Sequence, residues 1–387
     1  MSENRICFFT VWREDSETVG INMKIRNQVK AFANLGLDAY FCVSASSAVK
    51  LYKYNKEKKV FYEIEKENFS NKANHILKKN RLQKKISSYF RLNECILFMN
   101  NMQLKYNFNI IYIRRVIPFT IGMVSNIKKW YKNGCKIYWE IPTWGENVKS
   151  VSRIILQNHE NLMYNYLKNY MRIVAVSSGQ EGKDSIIFIN NGVDIETIPM
   201  NENKEHTGIN LICLATFSYW HGYDRLINGM KNYYDSYDSS KDKEINLYMV
   251  GNGYYVEELK KQVKQNGVNK YVHFVGVLTG EPLNDFFKNM DVAVGNLGFF
   301  RKGVISDTSI KIREYCARGI PFITALKVND FPSDFPYIFH VPMDESYVDI
   351  RSICEFYNSI DKSRMLLEMR EFAKDNLTWE KQLSKIF

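Results

Sequence analysis

The chain has 387 residues, 45% of them hydrophobic and 25% charged, with a formal net charge of +11. That length is too great for one ordinary core and suits two, and the composition is that of a globular protein, not a disordered one. No apolar run is long enough to span a bilayer, and the N-terminus lacks the features of a signal peptide, so the expectation is a cytoplasmic protein.

Taken in chain order, Ile6–Trp12 is a short apolar, β-rich run and predicts the first strand. A loop containing Gly20 follows. A helical period then runs through Ile25, Val29, Phe32, Ala33 and Leu35 and stops at Gly36. Further strands are predicted at Ala39–Ser44, Asn109–Arg114, Lys136–Ile141 and Arg172–Ser177, with helix-length segments between them. One such segment, Phe69–Arg91, contains no acidic residue. It carries Lys72, Lys78, Lys79, Arg81, Lys84, Lys85 and Arg91, interleaved with Ile76, Leu77, Leu82, Ile86, Tyr89 and Phe90 at roughly helical spacing. It reads equally as a surface that meets an anionic membrane and as an ordinary solvated helix. No recognition motif supports nucleic acid as a partner.

Ile189–Asn210 is polar and interrupted by Gly192, Pro199 and Gly208, which predicts a linker over 191–208. A second alternation then begins. Strands are predicted at Leu211–Thr216, Asn246–Gly253, Tyr271–Gly276, Asp291–Asn296 and Pro321–Ala325, with helices after His221, Tyr255, Pro282 and Ser309. The last segment, 363–387, is helical and amphipathic. The fold class is therefore α/β: two Rossmann-like domains facing across a cleft, with ligands beyond the carboxyl ends of the strands. The expected domains are 1–190 with a returning C-terminal helix at about 373–387, and 209–372.

Two features carry chemistry. Gly251 and Gly253 form a G-x-G turn between a strand and a helix, which suits close approach to a ligand or an ordinary tight turn. "SDTSIKIREYC" (306–316) offers Ser306, Asp307, Thr308 and Ser309 as helix caps, so the helix start is suited to a diphosphate. Glu314 can accept from a ribose diol, and Lys311, one turn earlier, can pair with Glu314 or with phosphate. The scattered histidines and the seven cysteines have no metal-site or disulfide spacing, and Asp235 and Asp238 read as loop residues.

Several stretches occur in the order and spacing of one family: "RIVAVSSGQE" with "FINNGVDIE", "LATFSYWHGYDRLINGM", "MVGNGYYVEEL", "VHFVGVLTGEPLNDFFKNMDVAV", "SIKIREYCARGIPFITA" and "LTWEKQL". Together they resemble the GT-B glycosyltransferases of the retaining family 4, or group 1, over nearly the whole chain. The resemblance implies a nucleotide-sugar donor, with UDP favoured, and no metal or cofactor. It implies that Glu314 holds the ribose, that Ser309 and Ile310 offer backbone N–H groups to phosphate, and that Gly276, Val277 and Leu278 meet the base. Ser218, His221, Gly251, Gly253 and Lys311 would complete the donor site, Gly20 would approach it from the other domain, and Glu140 would face sugar or acceptor. No residue is assigned as the catalytic base. Where the family has a glutamate toward the transferred sugar, this chain has Ser306 beside Asp307. Where it has a lysine toward the diphosphate, this chain has His221, so Arg301, Lys302 or Lys311 would supply the charge. The expected acceptor is a glycan, lipid-linked and at the inner membrane face, as in bacterial surface polysaccharide assembly. The rivals are a protein or small-molecule acceptor and a catalytically weak sugar-nucleotide-binding subunit. A GT-B phosphorylase or epimerase fits the motif order less well.

Overall fold

The computed structural model describes residues 4–16, 19–74, 80–142, 151–176, 186–202 and 204–387. The chain divides into two compact units, Met1–Asn190 with Trp379–Phe387, and Asn191–Thr378.

The first unit is built on an eight-stranded sheet. Its strands are β1 (Arg5–Arg13), β2 (Asp38–Ser44), β3 (Ala48–Asn55), β4 (Val60–Asn68), β5 (Ile110–Arg114), β6 (Lys136–Ile141), β7 (Arg172–Val176) and β8 (Ile186–Ile189). They lie in the order β4-β3-β2-β1-β5-β6-β7-β8. The sheet is parallel except at β2–β3 and β3–β4. This antiparallel edge, like β8, is not among the strands expected from the pattern. β4, "VFYEIEKEN", is mostly exposed, so its charges interrupt the apolar run that marks a covered strand. Cys7, Phe9, Ile111, Ile113 and Trp139 bury one face of the sheet, and Phe8, Phe41, Tyr112 and Tyr138 the other. The second face also receives Trp379, Leu383 and Ile386 from the chain's end. The terminal segment is not one helix: Lys362–Asn376 ends near Leu377, and Trp379–Leu383 forms a separate short helix. Asn34 donates to Glu380 at 2.6 Å, and Tyr138 Oη donates to the Ile386 carbonyl at 3.2 Å. The return thus starts at Trp379, whereas the sequence placed it at about 373.

The second unit holds β9 (Ile209–Thr216), β10 (Ile245–Asn252), β11 (Val272–Gly276), β12 (Val292–Val294), β13 (Phe322–Thr324) and β14 (Ile338–His340). All run parallel, in the order β11-β10-β9-β12-β13-β14. The order reverses direction between β9 and β12. In open α/β sheets ligands lie beyond the carboxyl ends of the strands at such a switch point. The stretch expected as a linker is instead packed on this unit. Val193 is in its core, and Asn201 N–H donates to the Arg318 carbonyl at 2.8 Å.

All seven cysteines are free, and six of them are buried. Among the described residues no helix is long and apolar enough to cross a membrane.

Candidate functional site

The carboxyl ends of the second unit's strands gather most of the residues singled out in the sequence. After β9 the chain makes one turn, Tyr219–His221, and Gly222 takes a left-handed φ of 73° before the helix Tyr223–Asp235. A side chain at Gly222 would meet the Gly298 backbone nitrogen at 2.5 Å. The loops after β9 and β12 are thus in direct contact at the switch point, joined also by Leu297 N–H donating to the His221 carbonyl at 2.9 Å. Beside them, Gly251 (φ 129°) and Gly253 (φ 151°) end β10. An added Cβ at Gly251 would lie 1.9 Å from the Ala215 carbonyl oxygen, and one at Gly253 2.3 Å from that of Phe217. The G-x-G turn therefore lets β10 press against the end of β9. Gly276 closes β11 with a φ of 83°, and Val277 beyond it is well exposed.

His221 is fixed on both sides. Its Nδ1 accepts the Ser218 backbone N–H at 3.1 Å, and its ring stacks on Tyr223 at 5.6 Å and 8°. Burial, then the positive charges of Lys311 and Lys302, push its pKa down to about 3. With Nδ1 an acceptor and the ring neutral, the remaining proton is on Nε2.

The helix Ile310–Arg318 starts at Ser309. Asp307, 1% exposed, accepts from Ser309 N–H and from the Asn296 amide, each at 2.6 Å. Both of its oxygens serve the turn, so it is an anchor rather than the sugar-facing carboxylate the sequence suggested. Ser306 is paired in extended fashion with Lys327, and its enclosed hydroxyl makes no hydrogen bond among the described residues. Arg313, fully buried, pairs with Asp330 and donates to the Ser309 carbonyl at 3.0 Å. Asn191 donates to the Thr308 carbonyl at 2.7 Å. The helix start is therefore held from several sides by Asn191, Asn296 and Arg313, none of which stood out in the sequence, because it is tertiary packing that aims their side chains at this turn.

Lys311 and Glu314 do not pair. Glu314 Oε1 accepts from Arg318 Nη2 at 2.8 Å and Nε at 3.1 Å, while Oε2 has no partner among the described residues. Lys311 Nζ donates to Tyr223 Oη at 2.8 Å. The residue is only part-buried, but its ammonium lies deep, and burial pulls its pKa down to about 8. Arg301 is not available as a counter-charge. Asp224 holds it with two contacts at 2.8 Å, Glu345 adds contacts at 3.0 and 2.5 Å, and its guanidinium lies 4.3 Å from the centre of the Tyr219 ring. Lys302 remains exposed, 4.6 Å from the centre of the Trp220 ring.

In the first unit, Glu140 does not take the sugar- or acceptor-facing place expected of it. It is fully buried. Gln28 and Tyr112 donate to Oε2 at 2.7 and 2.8 Å, and Arg114 is ion-paired to Oε1. A carboxylate so enclosed and satisfied is structural, not acceptor-facing. Gly20 lies in the first turn of the helix Val19–Asn34 rather than in a loop, exposed, with open space around it. In the basic segment Arg91 is buried, donating to the Ser46 carbonyl and lying 4.4 Å from the Phe69 ring centre. Ile76, Leu77, Lys78 and Lys79, residues 177–185, and Thr143 and Trp144 of "WEIPTW" lie outside the described residues.

The family model of glycosyl transferases group 1 matches residues 194–329, the part that carries this site. A search of curated protein sequences returns no match. Among solved structures, the chain is similar to a glycosyltransferase from Rickettsia africae ESF-5, with a TM-score of 0.65 at 14% identity, covering 100% of this chain and 97% of that one. It is similar to Anabaena Alr3699/HepE, solved with UDP and glucose, with a TM-score of 0.57 at 11% identity, covering 99% and 98% of the two chains. It is also similar to the pneumococcal O-GlcNAc transferase GtfA, solved with UDP and GlcNAc, with a TM-score of 0.58 at 9% identity, covering 100% and 98%. The second unit therefore carries a glycosyl transferases group 1 domain, on a chain with the fold of the GT-B glycosyltransferases.

Proposed function

We propose that this chain transfers a sugar from a nucleotide-sugar donor, a UDP-sugar by preference, to a hydroxyl of a glycan acceptor, with retention of configuration and without a metal ion. The observation that carries this reading is the convergence of Gly253, Gly276, His221, Lys311 and the Ser309 helix start on the carboxyl ends of one parallel sheet. A departing nucleoside diphosphate needs its growing negative charge stabilised, and a helix start with a nearby ammonium supplies that. Glu314 Oε2 is the open acceptor for a ribose hydroxyl. The UDP complexes of the Anabaena and pneumococcal proteins favour uridine.

The acceptor is proposed to be lipid-linked, as in surface polysaccharide assembly, with the protein resting on an anionic membrane surface. The support lies in the helix Arg81–Tyr106, whose Leu82, Ile86, Tyr89 and Phe90 are exposed along one face, flanked by the exposed Lys85, with Lys84 exposed farther round the helix. Apolar side chains among lysines suit the headgroup region.

A thermal-shift screen against UDP-, GDP- and ADP-sugars tests the donor, since a ligand that binds only the folded state raises the melting point. Glu314→Ala should cut sugar transfer severely while the fold persists. Near-normal transfer by that variant would remove Glu314 from the site. A second reading, a sugar-nucleotide-binding subunit without turnover, is favoured by one observation: Asp307 is wholly engaged in the helix cap, and Ser306 brings no carboxylate. Donor binding without transfer or hydrolysis by the isolated chain would support it.

A further inference from the structure

A deeply placed ammonium normally has a carboxylate partner, because the charge is costly to remove from water. Lys311 lacks one among the described residues: its only hydrogen bond is to the neutral Tyr223 hydroxyl. Titratable groups around it come from several elements. β9 brings Cys213, the helix after it Tyr223, and the turn between them His221, while Asp307 precedes Lys311's own helix and Tyr315 follows on it. Lys302 adds positive charge from the turn after β12. Cys213 and the two tyrosines are buried, which raises their pKa values and keeps them neutral. Asp307, the one acid, has both oxygens committed to Ser309 and Asn296. His221 beside them is stacked on the same Tyr223 ring. The site thus combines an ammonium with no carboxylate in hydrogen-bond contact, a neutral imidazole that presents Nε2–H, and a helix start, all at the switch point of the sheet.

We propose that Lys311 is the cation that receives the donor's phosphate oxygens, and that His221 serves beside it as a neutral hydrogen-bond donor rather than as a second charge. This rests on the nucleotide-sugar reading and deepens it. His221 takes the position where a lysine was expected, but the charge comes from the helix start instead. An anion at Lys311 stabilises its protonated form, so phosphate binding and protonation are linked. Lysine burial has already lowered its pKa to about 8. Below that pH the free protein carries the charge. As pH rises through it, a proton must be taken up on binding, and the contribution of Lys311 fades.

Titration calorimetry of wild type, Lys311→Gln and His221→Gln with inorganic pyrophosphate and with UDP-glucose, from pH 5.5 to 9.5, tests this. The ratio of wild-type to variant affinity cancels the titration of the ligands. Melting curves check that each variant is folded. For Lys311→Gln the ratio should be tenfold or more at pH 7 with both probes and should shrink above about pH 8. A ratio near one at pH 7, or one that stays level to pH 9.5, would overturn the proposal. For His221→Gln, whose amide N–H replaces Nε2–H, the ratio should stay within about threefold and level from pH 7.5 to 5.5. Growth of that ratio toward low pH would mean a histidinium and would overturn the neutral-donor part. Lys311-dependent binding of pyrophosphate without UDP-glucose would support the phosphate site while removing the UDP-sugar reading. Binding of neither probe by wild type would overturn both.

Discussion

Glu140 and Lys311 are both charged side chains near the carboxyl end of a parallel sheet, one in each unit, and they are treated in opposite ways. Glu140 is closed in by Arg114, Gln28 and Tyr112, which between them use both of its oxygens. Lys311 is deep but has only a neutral hydroxyl. A buried charge matched by its complement is a finished piece of structure. A deep charge with no direct ion-pair contact is a cost to the fold that an incoming anion offsets. The contrast moves Glu140 out of the candidate site and Lys311 to its centre.

The sharpest way to break this comparison is Glu140→Ala. It leaves Arg114 buried and unpaired, and should cost roughly 3–5 kcal/mol of stability, read from urea unfolding. A stable variant that lost only transfer would return Glu140 to the site. Lys311→Met should act in the opposite direction, stabilising by about 1–3 kcal/mol at pH 7, because the cost of burying the charge disappears. The sign follows from the folded pKa of about 8 lying below the value near 10.5 of a free lysine. Between those values the unfolded wild type holds more protons, so wild-type stability rises with pH and the variant's advantage shrinks. A Lys311→Met protein less stable than wild type at pH 7 would mean that the lysine is compensated after all. The smallest effect belongs to the exposed lysines of the first unit. Lys84→Glu with Lys85→Glu should leave the melting temperature unchanged and weaken binding to vesicles of anionic lipid by about 1 kcal/mol per lost lysine. Co-sedimentation at two salt concentrations reads it, and salt-insensitive binding would count against the electrostatic part.

The two units also differ in how legible they were. β9 to β13 are short apolar runs bounded by glycines and polar turns, and each lies where the pattern expected a strand. The β3–β4 edge was hidden because a half-solvated antiparallel pair carries Lys50, Glu63 and Glu65 within its strands, and periodicity is then weak. The linker looked like one because polar residues outnumber apolar ones, yet buried Val193, with Ile195 and Ile198 packed beside it, and a few backbone hydrogen bonds join it to the second unit.

For the candidate site, residue type and order along the chain were enough to place Gly251, Gly253, Gly276, Ser309, Lys311 and Glu314 at strand ends and helix starts, because those local conformations depend on neighbours in sequence. Partners were another matter. A Lys311–Glu314 pair, one of the two partnerships open to Lys311, follows from helical spacing alone. The structure instead gives Glu314 to Arg318 and Lys311 to Tyr223, 88 residues away. Only the tertiary fold brings Tyr223 and Asn296 to the same end of the sheet, and so only the fold decides which charges are neutralised and which are left for a ligand. Burial and pairing depend on what packs across space, and spacing along the chain does not contain that information.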